Sequence, residues 1–146
     1  ATIREKYYVD NVAQWAGKLE KLGTEKVISN LRLNENEFDI DVRIIGHNAT
    51  LGSQEKSFPK HLTEAGILVI VTAVAQKIAT EIASILNPYL LHLPLQENTE
   101  LPTFSFPFSP ASIDKGALYE FALNHIEILK DPLQGFDFLV NEVNYA

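Results

Sequence analysis

The segment "IIGHNATLG", residues 44–52, offers the best candidate ligand site in the sequence. It leaves an apolar run at Gly46 and reaches a second glycine at Gly52, with His47 and Asn48 between them. Two glycines allow tight turning and leave backbone N–H groups free to bind an anion. A phosphate loop is a poor match, because Gly-Lys-Ser/Thr and a directly following helix pattern are both lacking. The segment is either an anion-binding turn or a plain strand end, and His47, Asn48 and Gly52 are its ligand-binding candidates.

The four histidines, His47, His61, His92 and His125, lie far apart and form no pair at helical i, i+4 spacing. A metal motif of the HExxH kind is therefore absent from the sequence, and we predict no metal site. His92, in "NPYLLHLPL", sits among apolar residues, where a hydrogen-bonded core histidine is commoner than a catalytic one. His92 therefore has two interpretations, a buried histidine of the core and a ligand-binding residue.

Two further polar residues stand in aromatic surroundings. Ser109, in "FPFSPAS", lacks the GxSxG setting of a nucleophile, so its predicted role is to begin the turn before Pro110 or to cap a short helical turn. Glu120 is flanked by Tyr119 and Phe121, and a carboxylate among aromatic rings can have a raised pKa and act as an acid or base. On a strand, however, Glu120 would point away from both rings, which favours a solvated face.

The first element that could position these residues is a helix over residues 11–22. Asp10 is a possible N-cap and Gly23 a C-terminal stop, although Gly17 weakens the pattern. Its apolar residues recur at helical spacing: Val12, Trp15, Ala16, Leu19 and Leu22. Residues 1–10 carry no strand or helix signal.

Two strand patterns follow. "VISNLRL", residues 27–33, and "FDIDVRII", residues 38–45, are joined by the polar "NENE". The second alternates apolar and charged residues, which predicts a hairpin with one wet face.

The strongest strand and helix signals lie next to each other. "GILVIV", residues 66–71, is apolar after its glycine, which predicts a central strand covered on both faces. Residues 73–86 carry an apolar stripe at helical spacing, with Thr72 as N-cap and Asn87-Pro88 as stop. Together these elements predict an α+β fold: a two-layer sandwich with a mixed, mostly antiparallel sheet and one or two helices packed on one face.

The C-terminal part is harder to interpret. "ALYEFALNHIEIL", from residue 117, fits both a helix and one face of a strand, while "FDFLVNEVNYA" at residues 136–146 could add an edge strand. "LPTFSFPFSP", residues 101–110, is predicted to be a stiff connection that packs its phenylalanines against the sheet.

Composition bounds the class of protein. The 146 residues predict one domain, and a net charge of −7 with scattered basic residues argues against nucleic-acid binding. The longest apolar run, residues 65–75, is too short to span a membrane. Cysteine is absent and no basic-then-apolar leader opens the chain, which predicts a cytoplasmic location and no cofactor held by thiolates. Methionine is also absent, even at residue 1, which suggests a fragment or a processed chain.

Four blocks, "GHNATLG", "EAGILVIVTAVAQKIATEIASIL", "LLH" and "FPFSPASIDKGALYEF", resemble in that order the C-terminal part of the acyclic-terpene-utilisation AtuA family. The resemblance covers roughly residues 38–128. The sequence departs from the family pattern at His47, where arginine is frequent, and at Ala49, where the family has glycine. The matched positions are Gly46, Asn48, Gly52, Thr72, Ala73, Gln76, His92, Phe106, Pro107, Ser109, Pro110, Gly116, Tyr119, Glu120 and Phe121.

The resemblance implies the C-terminal domain of a larger protein, whose missing N-terminal region would be its partner. The family is associated with catabolism of branched terpenoid acids, as acyl-CoA thioesters, without an assigned reaction. Its Pro-Val-Tyr-Glu-Phe block also favours a strand over residues 117–128 here.

Two functions follow as hypotheses. The chain is either an accessory domain of an acyl-CoA-processing enzyme, binding an acyl-CoA ligand without a cofactor of its own, or an assembly module that forms a homo-oligomer. We expect convergence of His47, Asn48, His92 and Ser109 on one concave surface to favour the first hypothesis, and their dispersal to favour the second.

Overall fold

The structure is a computed structural model that describes residues 1–59, 61–119, 128–131 and 133–143. A short 3₁₀ turn, Gly52–Gln54, lies between the second and third strands. In chain order the remaining elements are β1 (Thr2–Ile3), α1 (Lys6–Asp10), α2 (Val12–Leu31), β2 (Phe38–Ile45), β3 (Ala65–Ala73), α3 (Gln76–Leu86) and α4 (Tyr89–His92).

The strands of the described part form one antiparallel sheet in the order β1-β3-β2. Helices α2 and α3 pack against one face, α2 over β2 and α3 over β3. The predicted α+β two-layer class is confirmed, and so is the central place of "GILVIV", which lies in β3. The core lies between the sheet and the two helices, with Trp15, Leu19, Ile44 and Ile82 fully enclosed.

Helix α2 is much longer than the predicted helix of residues 11–22, and Gly23 does not stop it. The segment predicted as the strand 27–33 belongs largely to this helix, because Val27 continues the buried stripe of Leu19 and Gly23 at a spacing of four residues. The helix ends at Arg32, which adopts the left-handed backbone region at φ 56°. Asn11, and not Asp10, occupies the N-cap position.

The predicted hairpin is therefore wrong. The β2 strand alternates as expected, with Phe38, Ile40, Val42 and Ile44 turned to the core, but its partner is β3, a strand twenty residues farther on. The alternation of apolar and charged residues alone determines which face of a strand is exposed and which is buried. The choice of pairing partner depends instead on which other strand lies beside it in the folded chain.

The first ten residues also differ from the prediction. Ile3 in β1 and both Tyr8 and Val9 in α1 are buried in the core. Elements this short carry no sequence period, so only the tertiary contacts reveal them.

The outer face of β3 is open, contrary to the prediction that both faces are covered. Leu68 on that face is 46% exposed, because the helices occupy the opposite face. Thr72 is part of β3, so the N-cap of α3 is Ala75, while Asn87 ends this helix as predicted.

The C-terminal third contributes less to the core than predicted. Phe104 packs on Trp15 with ring centroids 5.0 Å apart, but Phe108 is exposed, so "LPTFSFPFSP" meets the expectation only in part. Residues 136–143 form no strand. The predicted strand of residues 117–128 lies mostly outside the described residues.

None of the helices in the described ranges combines the length and the apolar character needed to cross a membrane.

Candidate functional site

The turn that follows β2 has the backbone that its two glycines predict. Gly46 (φ 99°) and Gly52 (φ 56°) both adopt conformations that L residues rarely take. A Cβ at Gly46 would also lie 2.8 Å from Cδ1 of Leu62. The glycines therefore serve the path of the chain and its packing.

Asn48 is held inside this turn. Its Oδ1 accepts a hydrogen bond from the backbone N–H of Ile44 at 2.7 Å. The carbonyl oxygen of Ile44 accepts in return from the N–H groups of His47, Asn48 and Ala49, at 3.0, 3.0 and 3.2 Å. The N–H of Gly52 donates to Asn48 O at 2.8 Å. These four N–H groups are satisfied within the turn and are not available to an anion.

His47 is half-buried in the same turn. Its ring contacts that of Phe58, with centroids 4.7 Å apart. The Nδ1 atom is enclosed and has no hydrogen-bond partner among the residues that the structure describes. Packing on an aromatic ring accounts for the position of the imidazole.

Charged groups beside the turn have hydrogen-bond partners within the chain. Arg43 Nε donates to Asp41 Oδ2 at 2.6 Å, and Arg43 Nη1 donates to Ala49 O at 3.2 Å. Farther on, Glu55 accepts hydrogen bonds from the backbone and the hydroxyl of Ser57, which lower the pKa of its carboxyl. Arg43 therefore links the turn to β2, the strand that precedes it.

The remaining candidates lie in other parts of the chain. His92 is the last residue of α4 and is exposed, so the interpretation as a core histidine is wrong. Ser109 is exposed in an irregular segment and caps no helical turn. Glu120 lies outside the described residues. In the described part, no hydrogen bond, ring contact or shared depression joins His92 or Ser109 to the turn.

The two best-formed depressions of the described surface are lined by none of the five candidates that the structure describes. A cleft of about 30 Å³ is lined by Leu90 and by residues of the segment 106–111, and it has room for little more than water. A shallow depression of about 460 Å³ lies along α2, lined by Gly17, Glu20, Lys21, Thr24, Glu25 and Glu35. Across residues 1–59, 61–119, 128–131 and 133–143, no three His, Asp or Glu side chains are grouped so that they could hold a metal ion.

Sequence reasoning did not single out the acidic residues near the edge of β2. Burial raises the pKa of Glu20, and the charges of Asp41 and then Asp39 raise it further. The alternation of "FDIDVRII" already placed both aspartates on one face of the strand, but their proximity to a helix carboxylate needed the tertiary structure.

Comparison with known proteins gives no family for the chain, since no family profile matches it and neither the curated proteins nor the solved structures provide a significant match.

Proposed function

We propose that this chain is an assembly module that forms a homo-oligomer by burying apolar side chains of its C-terminal third. One observation carries the proposal: the large apolar residues that the structure describes between positions 113 and 143 are exposed and lie outside the core. We call the described residues of this region, 113–119, 128–131 and 133–143, the C-terminal apolar segment. Its exposed members are Ile113, Leu118, Tyr119, Ile128, Leu129, Leu133, Phe136, Phe138, Leu139, Val140 and Val143.

The area of these side chains supports an interface of ordinary size. At roughly 25 cal/mol per Å², the transfer free energy of one large apolar side chain corresponds to about 60–120 Å². Eleven such side chains, ten of them more than half exposed, therefore offer on the order of 500–900 Å² per chain, and a stable interface takes about 800 Å² from each partner. Contiguous exposed apolar surface of this size marks protein interaction sites.

The positions of the candidate residues of the acyl-CoA hypothesis also support an assembly module. The turn of His47 and Asn48 shares no depression with His92 or Ser109 in the described part. Asn48 directs its side-chain oxygen to its own turn. We expected dispersal of this kind from an assembly module.

Sedimentation of the full chain tests the proposal. We expect the parent to sediment as a dimer or larger species at micromolar concentration, and Phe138→Asp to weaken association by about 10-fold or more, because a carboxylate in an apolar interface is costly. Val74→Asp is the matched control, since Val74 is 68% exposed and Phe138 is 70% exposed, but Val74 lies between β3 and α3. A monomeric parent, or equal effects of the two substitutions, would overturn the proposal.

An accessory role in acyl-CoA processing is the second candidate. Its support is that Asn48 and Gly52, which the resemblance implicates, share one turn with His47, whose ring packs on that of Phe58. Titration with a branched acyl-CoA, followed by the backbone amide signals of residues 46–52, tests it. Shifts confined to this turn would support the role, and unchanged signals at millimolar ligand would exclude it.

A further inference from the structure

Among the residues that the structure describes, nothing pairs with the outer edge of the β2 strand, which we call its free edge. In the order β1-β3-β2 it lies at the outside of the sheet, and its pairing with β3 runs without interruption from Phe38 to Ile45. Proline is absent from these eight residues, and the continuous register leaves no room for a bulge. Edges of this kind are templates for pairing with another strand unless something blocks them.

The backbone groups that face outward are identified by their neighbours. Val74 N–H donates to Glu37 O at 3.1 Å, so Glu37 and the residues at even spacing from it turn their backbone groups toward β3. Phe38, Ile40, Val42 and Ile44 therefore turn theirs outward. Both groups of Ile44 are satisfied by the turn that follows β2.

Three residues are left with open hydrogen-bonding capacity. The N–H and C=O groups of Phe38, Ile40 and Val42 have no partner within the part of the chain that the structure describes. An added antiparallel strand could satisfy all six groups in one register.

An acidic groove runs beside this edge. The shallow depression of α2 is lined by Glu20, Glu25 and Glu35 against a single lysine. Glu20 in this groove is close enough to Asp41 and Asp39 of β2 for their charges to raise its pKa. The groove therefore lies on the side of α2 that is nearer to these two aspartates.

Side chains on the outer face of an added strand would meet carboxylates. Asp39 and Asp41 project from the outer face of β2, opposite the side that packs on α2. Arg43 on the same face is already engaged by Asp41 and by Ala49 O. An incoming strand with basic residues at alternate positions complements this charge.

A second copy of β2 fits the edge poorly. Antiparallel pairing of two such edges with four or more hydrogen bonds permits a small set of registers. One places Asp39 opposite Asp41 of the second copy, and one places Asp39 opposite its equivalent. The third places Asp41 opposite its equivalent and Asp39 opposite Arg43, but Arg43 is already engaged by Asp41 and by Ala49 O. Like charges directly opposite each other destabilise a strand pair.

We propose that the free edge of β2 binds an extended peptide segment that carries Lys or Arg at alternate positions and pairs with Phe38, Ile40 and Val42 as an added strand. This surface is distinct from the C-terminal apolar segment, so it provides a contact beyond the proposed homo-oligomer. Backbone bonds supply general affinity for any strand, and the aspartates select a basic one.

Titration of the full chain with a short synthetic peptide that alternates Lys with Val tests this proposal, and the Glu and Val counterpart is the control peptide. We expect the lysine peptide to bind about 10-fold or more tightly than the glutamate peptide, with affinity that falls as salt rises. Binding should shift the amide signals of Phe38, Ile40 and Val42 and slow their hydrogen exchange.

Paired variants locate the contact. Asp39→Asn with Asp41→Asn should weaken the lysine peptide by about 10-fold. Glu81→Gln with Glu97→Gln removes the same charge from two exposed positions elsewhere and should leave binding within about 2-fold. The proposal is overturned by an equal loss of affinity in both pairs, by unchanged amide signals of Phe38, Ile40 and Val42, or by no binding of the lysine peptide at millimolar concentration. Phe138→Asp, which weakens the proposed homo-oligomer, should leave binding of the lysine peptide unchanged, which separates this contact from the proposed homo-oligomer.

Discussion

Asn48 closes the end of β2, because its Oδ1 accepts the backbone N–H of Ile44 at 2.7 Å while the carbonyl oxygen of Ile44 accepts three N–H groups of the same turn. This relationship assigns the asparagine a structural role at the point where the free edge of the sheet ends. It also limits the open edge to Phe38, Ile40 and Val42. The same side chain was one of the ligand-binding candidates from sequence.

Replacement of Asn48 tests the structural role. Asn48→Ala should lower the free energy of unfolding by about 1 kcal/mol, because the N–H of Ile44 loses its partner. Asn48→Asp keeps an acceptor and should stay near the parent. Urea denaturation of the three proteins measures the difference, and identical midpoints for alanine and parent would show that the bond adds no net stability.

The two glycines of α2 should respond to alanine in opposite directions. A Cβ at Gly17 meets nothing within 4 Å, so Gly17→Ala should raise the free energy of unfolding by about 0.5–1 kcal/mol through helix propensity. A Cβ at Gly23 would lie 2.5 Å from Cδ2 of the buried Leu86, so Gly23→Ala should lower it by about 1–3 kcal/mol. Thermal and urea unfolding measure both, and a stabilised Gly23→Ala would show that Leu86 repacks freely.

Stability should depend on pH through Glu20. Burial raises the pKa of this carboxyl, with Asp41 and Asp39 contributing further, so the folded state holds the proton more readily than the unfolded state. Ionisation of Glu20 therefore costs stability as pH rises from its unfolded pKa through its raised folded pKa. Glu20→Gln removes this loss and should be more stable than the parent at neutral pH, with less difference in acid.

Urea unfolding between pH 3.5 and pH 8 measures the effect, and Glu81→Gln on α3 is the control. The prediction fails if the advantage of Glu20→Gln is the same at every pH.

Reversal of one charge on β2 should promote self-association. Asp39→Lys places an ammonium opposite Asp41 of a second copy in the register that satisfies the open groups of Phe38, Ile40 and Val42 on both strands. We expect the variant to sediment at twice the mass of the parent species, in a manner that high salt reverses. Glu81→Lys makes the same charge change on α3 and should sediment at the mass of the parent. An unchanged mass for Asp39→Lys would mean that the carboxylates do not guard this edge.

Much of the fold could be predicted where a local period was long enough. The alternation over residues 38–45 and the stripe over residues 73–86 both indicated the correct element, because each period repeats several times. The stop at Gly23 was wrong for a physical reason: glycine often follows a helix end, but here it lies inside α2 to admit the side chain of Leu86.

The candidate site was predictable only as a turn. Glycines at positions 46 and 52 indicated tight backbone, and both do adopt positive φ. Whether the amide of Asn48 faces a ligand or its own strand depends on the position of Ile44 N–H, which no residue spacing encodes. His92 and Ser109 became candidates through their residue types. Whether their side chains are buried depends on the packing of elements elsewhere in the chain.

The sequence by itself determined the α+β class, the central strand, the wet face of β2 and the acidic character of its surface, because periodicity and charge are local properties. Only the tertiary structure decided that β2 pairs with β3, that residues 27–31 continue a helix, and that no other described strand pairs with the outer edge of β2. The pairing partner of a strand and the cover of its faces depend on contacts between residues distant along the chain, and these are selected by the packing of the whole core.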